Sequence, residues 1–186
     1  MEALDLLLNR VSVGRLLEPA PDAAQRDLLF RAALRAPDHG QLRPWRFLTV
    51  EGAARQQLGE LFAAALTASN PEAKPEALDK ARAMPLRAPL LVVVIARITG
   101  HPKVPEQEQL LAAGCAAQGI LLAAHAQGFG AMWRTGEFSY DAQVMAGLGL
   151  QAGERIVGFV YLGSVEGERR VPLALDPDDY VAAWQG

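Results

Sequence analysis

The chain has 186 residues, 51% of them hydrophobic, with 18 basic and 21 acidic side chains and a formal net charge of −3. This length predicts one domain around a single core, since two full domains would be cramped. The negative charge gives no general attraction to phosphate backbones or anionic lipids, so neither nucleic acid nor a membrane surface is an expected partner. The single cysteine, Cys115, excludes an intrachain disulfide and any cysteine-based metal centre built from one chain.

The sequence predicts neither a leader peptide nor a membrane span. The first residues, Met-Glu-Ala-Leu-Asp, lack the basic region of a signal peptide. The longest apolar stretch, residues 110–133, is interrupted by polar side chains and glycines, which indicates a buried helix followed by a strand. We therefore expect a cytoplasmic protein.

The first half of the chain predicts three helices and one strand. Residues 3–9 are predicted to form a short helix, and Asp22 is a suitable N-cap for a second helix that ends near residue 35. Residues 46–50 have the composition of a strand. Apolar residues at i, i+3, i+4, i+7 and i+8 from Leu58 predict an amphipathic helix.

The second half predicts the centre of the fold. The β-branched run at residues 89–98 is typical of a strand covered on both faces, which requires helices on both sides of a sheet. Residues 106–127 form the longest predicted helix, apolar almost all round, so we expect burial on every side, its cysteine included, with a subunit interface as the simple explanation. Strands are predicted at 129–133 and 156–162. Residues from about 164 to 186 are interpreted as an extended arm.

Three polar clusters are candidates for chemistry. In the first, Arg10, Ser12 and Arg15 place two guanidiniums and a hydroxyl within six residues, which suits a phosphate monoester. The alternative is a helix end whose last carbonyls attract arginines, with the serine in a turn.

The second cluster lies in a proline-flanked turn and contains Arg35, His39 and Gln41. Rigid turns that hold polar groups often carry ligand-binding residues. The alternative is a solvated loop whose Trp45 anchors the following strand.

The third cluster follows the long helix. Gly128 and Gly130 permit close approach of a flat ligand, and Arg134 and Thr135 supply hydrogen-bond donors. The Rossmann fingerprint is not met, because no third glycine opens a helix after a strand. The alternative is a helix C-cap followed by a tight turn. The buried His125 is expected to be a core histidine, and no metal site is expected.

Taken in chain order, these clusters resemble the FMN-dependent nitroreductase family, most closely its short YdjA-type branch. Arg10, Ser12 and Arg15 match the family's arginine- and serine-rich N-terminal segment. Residues 36–37 and 44–45 match its Ala-Pro…Pro-Trp turn, and residues 128–130 match its Gly-x-Gly turn. The chain departs from the family pattern at Val11, Asp38, Gln41 and Arg43. These departures bear on phosphate affinity and flavin tuning.

The resemblance implies an α+β fold, a three-layer α/β/α sandwich with a mixed, mainly antiparallel sheet. It implies a single FMN-binding domain over residues 1–186 that homodimerisation completes, with two FMN sites in the interface. The phosphate and ribityl chain would meet the N-terminal cluster of one subunit, and the flavin would meet the second cluster of the other. The implied cofactor-binding residues are Arg10, Val11, Ser12, Arg35, His39, Gln41, Trp133, Arg134 and Thr135, with Ala123 and Gly128 in a stretch assigned to the nicotinamide cofactor.

The resemblance also implies the reaction. NADH or NADPH would deliver hydride to flavin N5, and a nitroaromatic, a quinone or a similar acceptor would then take the electrons in a ping-pong cycle without a catalytic protein residue. Three alternatives stay open at this point. They are an FMN-binding sensor or storage protein, a flavoenzyme of another reaction type, and a purely structural dimer.

Overall fold

Residues 2–186 form six helices and five strands in the computed structural model, and Met1 lies outside the described residues. The helices are α1 (Ala3–Asn9), α2 (Ala23–Ala33), α3 (Ala53–Ser69), α4 (Pro75–Ala83), α5 (Glu106–Ala126) and α6 (Ala142–Gly147). The strands are β1 (Leu16–Leu17), β2 (Trp45–Glu51), β3 (Leu90–Arg97), β4 (Gly130–Arg134) and β5 (Glu154–Val165). Short 3-10 turns occupy His39–Gln41, Met84–Arg87, Glu137–Ser139 and Pro177–Asp179.

The β-branched run predicted as a doubly covered strand is β3. Every residue from 90 to 96 is at most 1% exposed. Val92 and Val94 face a core formed with α2 and α5, whereas Val93 and Ile95 face a second core formed with α3, α4 and α6. This alternation confirms the predicted α+β fold with helices on both sides of one sheet.

The long strand β5 joins the sheet together. It pairs with β3 and β4, its last two residues pair with β1, and β3 pairs with β2. All of these pairings within residues 2–186 are antiparallel. The sheet therefore carries β4 beside the C-terminal half of β5, where the N-terminal segment also reaches.

Helix α2 begins where its sequence predicts. Asp22 accepts a hydrogen bond from the Gln25 amide, and the Gln25 side chain accepts one from the Asp22 amide, which completes a capping box. The helix ends at Ala33, slightly earlier than expected. Its last turn packs closely on α5, because a Cβ at Gly119 would lie 3.0 Å from the Ala32 carbonyl oxygen.

One chain alone does not bury α5 on every side, so the burial expected from a subunit interface stays a prediction, and the expectation that Cys115 is a core residue is wrong within the chain. One stripe of the helix is exposed and includes Leu111, Cys115 and Gln118. Helix α5 is long and apolar enough to cross a bilayer, with a mean hydropathy of 1.3, but half of its most apolar window is buried inside the protein. It serves here as the central helix of one core.

The two ends of the chain carry further exposed apolar side chains. Leu4 and Leu8 on α1 are 71% and 72% exposed, and Trp184 is 92% exposed. After β5 the chain contains only the short turn Pro177–Asp179. Single exposed apolar residues are ordinary, but a helix and a tail that share this property leave considerable apolar surface in water.

Candidate active site

The N-terminal segment after α1 lies along β4. The Val13 amide donates a hydrogen bond to the Ala131 carbonyl oxygen at 3.0 Å. A Cβ at Gly130 would lie 2.5 Å from a Leu16 methyl and 2.8 Å from a Val165 methyl. Gly130 therefore allows this close packing, and the expectation that it leaves room for a flavin ring is wrong.

Three adjoining hollows of about 410, 560 and 590 Å³ separate the N-terminal segment from the chain after β5. We call them together the arginine cleft. Residues that line it include Arg10, Val11, Ser12, Gly14, Arg15, Gly128, Met132, Glu166, Glu168, Arg169 and Arg170. The first and third sequence clusters thus meet in one place.

The arginine cleft holds cations without carboxylate partners. The Arg169 guanidinium donates to the Phe129 carbonyl oxygen at 3.0 Å, and that of Arg170 donates to the Ser12 carbonyl oxygen at 3.4 Å. Among residues 2–186, neither these two arginines nor Arg10 forms an ion pair, although Arg15 pairs with Glu166 at 3.2 Å. Uncompensated guanidiniums around an open cleft suit a phosphate monoester.

Gly128 lines the cleft just after the end of α5, and the buried His125 lies in the last turn of that helix. Burial lowers the pKa of His125, which is 6% exposed, and the positive charges of Arg169 and Arg10 lower that pKa further. The imidazole is therefore neutral near pH 7. Gly128 has a φ of 88°, which suits the αL cap after the helix, and its amide donates to the His125 carbonyl oxygen at 3.0 Å.

Strand β4 presents its residues to opposite faces of the sheet. Met132 and Arg134 share the face of the N-terminal segment, and the Arg134 guanidinium lies 3.4 Å from the Gly14 carbonyl oxygen. The Arg134 Nε is buried with no hydrogen-bond partner in the described chain. A buried guanidinium nitrogen without an acceptor is costly unless a ligand supplies one.

Trp133 points the other way. Its indole nitrogen donates to the Val157 carbonyl oxygen at 3.3 Å. With Leu110, Leu111 and Gly114 it lines a separate apolar cavity of about 680 Å³. The structure therefore does not bring the Trp133 side chain into the arginine cleft, whereas Thr135 lines a small cavity next to Arg134.

The second sequence cluster forms a tightly held loop. Gly40, Gln41 and Arg43 all have positive φ, and the Asp38 carboxylate accepts hydrogen bonds from the Leu42 and Arg43 amides. Burial raises the pKa of Asp38, but these bonds and the Arg43 guanidinium outweigh it and hold that pKa below its usual range. Asp38, which stands where the family commonly has serine, thus stabilises the loop through these hydrogen bonds.

This loop lies far from the arginine cleft within the chain. His39 Nδ1 lies 2.6 Å from a Glu108 carboxylate oxygen, in the first turn of α5, whereas Gly128 follows the last turn. At ~1.5 Å per residue, the span from 108 to 128 is about 30 Å. Arg35 and Gln41 are exposed, and their side chains make no hydrogen bond within residues 2–186. One chain does not bring the two clusters together.

The stretch implied to contact the nicotinamide cofactor is largely structural. Ala123 packs against the core beside α2, and the Gln127 amide nitrogen donates to the Gln25 carbonyl oxygen at 3.3 Å. Only its last two residues, Gln127 and Gly128, line the arginine cleft. Within the described chain, no group of three His, Cys, Asp or Glu side chains converges as a metal site would require.

The family resemblance also implies a basic residue near the C-terminus that contacts the phosphate, and it leaves Arg169 and Arg170 as the candidates. Both line the arginine cleft. Arg87 and Tyr161, described below, had no signal in the sequence, because they come together only through the sheet and the turn before β3.

Comparison with known proteins agrees with this geometry. A sequence model described as "Nitroreductase family" matches residues 7–164. The Escherichia coli (strain K12) protein named "Putative NAD(P)H nitroreductase YdjA" is 40% identical over 182 residues, which cover 97% of this chain and 98% of that protein. A crystal structure of a nitroreductase-like family protein from Bacillus cereus superimposes with a TM-score of 0.84 at 22% identity, covering 100% of this chain and 97% of the other.

A second solved structure shares the fold. It is a mutant of NfnB, an FMN- and NADPH-dependent nitroreductase from Sphigopyxis sp. strain HMH, with a TM-score of 0.76, 23% identity and complete coverage of both chains. At this identity the likeness establishes the architecture.

Proposed function

The chain belongs to the nitroreductase family and is an oxidoreductase, and from that premise we propose that it is an FMN-dependent NAD(P)H oxidoreductase. Its proposed acceptors are nitroaromatics, quinones or similar small molecules. The observation that carries the proposal is the arginine cleft, where three guanidiniums without carboxylate partners surround an opening beside β4.

The residues of the cleft fit the phosphate end of FMN. Arg10, Arg169 and Arg170 supply charge-assisted donors, and Ser12 supplies a hydroxyl. The valine that replaces the family's second arginine leaves a gap in positive charge at position 11. Arg169 and Arg170 fill that gap from the chain after β5.

The flavin end would lie near the Arg134 guanidinium, which reaches the Gly14 carbonyl oxygen in the cleft. When bound, FMN supplies hydride transfer at N5, from NADH or NADPH and then to the acceptor, in a ping-pong cycle. The Arg134 guanidinium would hold a positive charge beside the ring. His125 is neutral, so the positive charge near the phosphate would come from the arginines.

We further propose that two copies of the chain form each site. The loop with Arg35, His39 and Gln41 lies about 30 Å from Gly128 along α5, so a shared site requires the loop of a second copy. The exposed stripe of α5 and the exposed leucines of α1 offer apolar surface for that association. This homodimer would be cytoplasmic.

Mixing two inactive variants tests the shared site. Arg10→Ala disables the arginine cleft, and a combined Arg35→Ala and His39→Ala variant disables the loop. Chains mixed and allowed to exchange should regain FMN sites, because each mixed dimer has one site with both halves intact. Random pairing predicts recovery of about a quarter of all sites, measured by quenching of flavin fluorescence.

The matched control combines Arg10→Ala with Arg169→Ala. Both residues lie in the same cleft, so every site in the mixture lacks one of them and no recovery is expected. The two-chain site is contradicted if both mixtures recover FMN sites to the same extent, or if neither mixture recovers any. An anaerobic spectrum then tests turnover, since NADPH or NADH must bleach the retained flavin band of an oxidoreductase. A retained band that neither reductant bleaches would favour a sensor or storage protein.

A further inference from the structure

A second cationic cavity lies next to the arginine cleft, on the face of the sheet that packs against α3. We call it the Tyr161 cavity. It has a volume of about 180 Å³ and is lined by Phe62, Met84, Arg87, Arg134, Thr135, Phe138, Phe159 and Tyr161. Arg134 joins the two spaces, because its guanidinium lies 3.4 Å from the carbonyl oxygen of Gly14 in the arginine cleft.

The walls of the Tyr161 cavity are aromatic. The rings of Phe62 and Phe138 stack with centroids 4.4 Å apart, and Phe159 meets Phe62 edge-on at 5.5 Å. Tyr161 is 4% exposed, and burial raises the pKa of its hydroxyl. A cavity of about 150 Å³ is known to hold one benzene ring, so this one accepts a single six-membered ring.

Two guanidiniums give this cavity its charge. The Arg134 guanidinium lies 5.3 Å from the centre of the Tyr161 ring, and its Nε is buried with no hydrogen-bond partner in the described chain. Arg87 ends the turn before β3 and forms no ion pair within residues 2–186. Arginines are the side chains best shaped to hold a planar carboxylate.

We propose that the Tyr161 cavity binds an aromatic carboxylic acid, with the carboxylate held by Arg87 and Arg134 and the ring against the phenylalanines. The acid also carries a nitro group and is the electron acceptor of the proposed oxidoreductase, so this inference rests on the proposed function. The hydride equivalent of NADH or NADPH and a solvent proton convert the nitro group to a nitroso group and water, and the carboxylate is unchanged. Acceptors that carry a carboxylate are then preferred over neutral ones of the same shape. Arg87 is the residue that determines this specificity.

Benzoate binding tests the cavity without turnover. Calorimetric titration of the FMN-saturated protein, in which the proposed FMN phosphate occupies the arginine cleft, should show benzoate binding at least tenfold more tightly than neutral benzamide. Arg87→Gln should abolish that preference, and Arg87→Lys should restore part of it. Arg31→Gln removes the same charge from an exposed site on α2, where Arg31 pairs with Asp27, and should change nothing.

Kinetics then test the acceptor. The ratio of kcat/KM for 4-nitrobenzoate to that for 4-nitrobenzamide should exceed ten in the wild type and fall at least tenfold in Arg87→Gln, with little change for the amide. If neither compound is reduced while benzoate binding still depends on Arg87, the proposed oxidoreductase fails and the carboxylate site stands.

Three results would overturn the site itself. One is benzoate binding that is no tighter than benzamide binding. Another is a benzoate preference that Arg87→Gln leaves intact, which places the anion elsewhere. The third is a fall in FMN affinity or in the potential of bound FMN in Arg87→Gln without any benzoate preference, which assigns the cavity to the cofactor.

Discussion

The two ends of α5 differ in whether the charged side chains around them form ion pairs. Around its first turns, almost every charged side chain has a partner: Arg155 meets Glu106 at 2.7 Å, His39 meets Glu108, and Arg46 meets Glu154. Around its last turn, Arg10, Arg169 and Arg170 have no carboxylate within hydrogen-bonding reach in the described chain.

The contrast separates charges that hold the fold from charges that await a ligand. A partly buried guanidinium paired with a carboxylate has its favourable interaction already in place. Guanidiniums gathered without one repel each other, and an anion relieves that repulsion. Changes at the first end should therefore reduce stability, and changes at the second should reduce ligand affinity.

The largest effect is expected at Glu154, whose side chain is 8% exposed and accepts two bonds from the Arg46 guanidinium at 2.6 and 2.7 Å. Glu154→Gln leaves that guanidinium without its counter-charge and should lower the free energy of unfolding by about 3 kcal/mol. Urea denaturation at one protein concentration measures it. Glu60→Gln, in an exposed pair with Arg82, is the control and should change the free energy of unfolding little, because solvent screens that pair. Equal losses in the two variants would contradict the distinction.

The same carboxylate should shape the acid limb of stability. The hydrogen bonds from Arg46 lower the pKa of Glu154 from 4.5 to about 2. A carboxylate whose pKa falls on folding stabilises the protein fully above pH ~4.5, and that contribution is lost as pH falls toward 2. The loss should amount to about 3 kcal/mol, measured by denaturation across this range. Glu154→Gln should give a flatter acid limb, and parallel limbs would refute the assignment.

At the other end, Arg10→Ala should leave folding intact and weaken FMN binding. Loss of one charge-assisted phosphate contact corresponds to about 1.5–3 kcal/mol, or roughly 10- to 150-fold in the dissociation constant. Flavin fluorescence titration measures it, with Arg31→Ala on the exposed face of α2 as the control. Unchanged affinity in Arg10→Ala would remove this residue from the site.

The smallest effect is expected at one of two glycines that both have a positive φ. Gly128 has a φ of 88° and Gly149 a φ of 71°, and a Cβ at either would meet no atom within 4 Å. Alanine at each should therefore reduce stability by about 1 kcal/mol. Only Gly128→Ala should also weaken FMN binding, because Gly149 lies after α6 beside Arg46. Equal FMN affinities of the two variants would mean that Gly128 caps α5 and makes no contribution to FMN binding.

The sequence predicted the sheet's centre and the long helix well because their signals are local. The apolar run at 90–95, β-branched from 92 to 95, and the cap at Asp22 each specify an element without help from distant residues. Helices α4 and α6, with nine and six residues, are too short for a local pattern to predict them firmly, and they were not predicted. The two-residue β1 exists only because β5 provides its partner.

The site was harder to predict, for a physical reason. Residue types indicated the Arg10 and Arg134 clusters, which the structure brings together. Spacing along the sequence does not reveal that Leu16 fills the space next to Gly130. Nor does it reveal that the Trp133 side chain lies on the opposite face of β4 from that of Arg134. Those outcomes depend on which face of β4 each residue occupies and on the segment that covers it.

The exposed stripe of α5 also equips the protein with an internal reporter. Cys115 is the only thiol in the chain and lies in the middle of that stripe, so a thiol reagent labels one known position without any engineering. Its reaction rate measures how often that surface is open to solvent. The labelling half-time of the native chain then reports subunit contact, and it can be compared after dilution, with added FMN or at a different salt concentration.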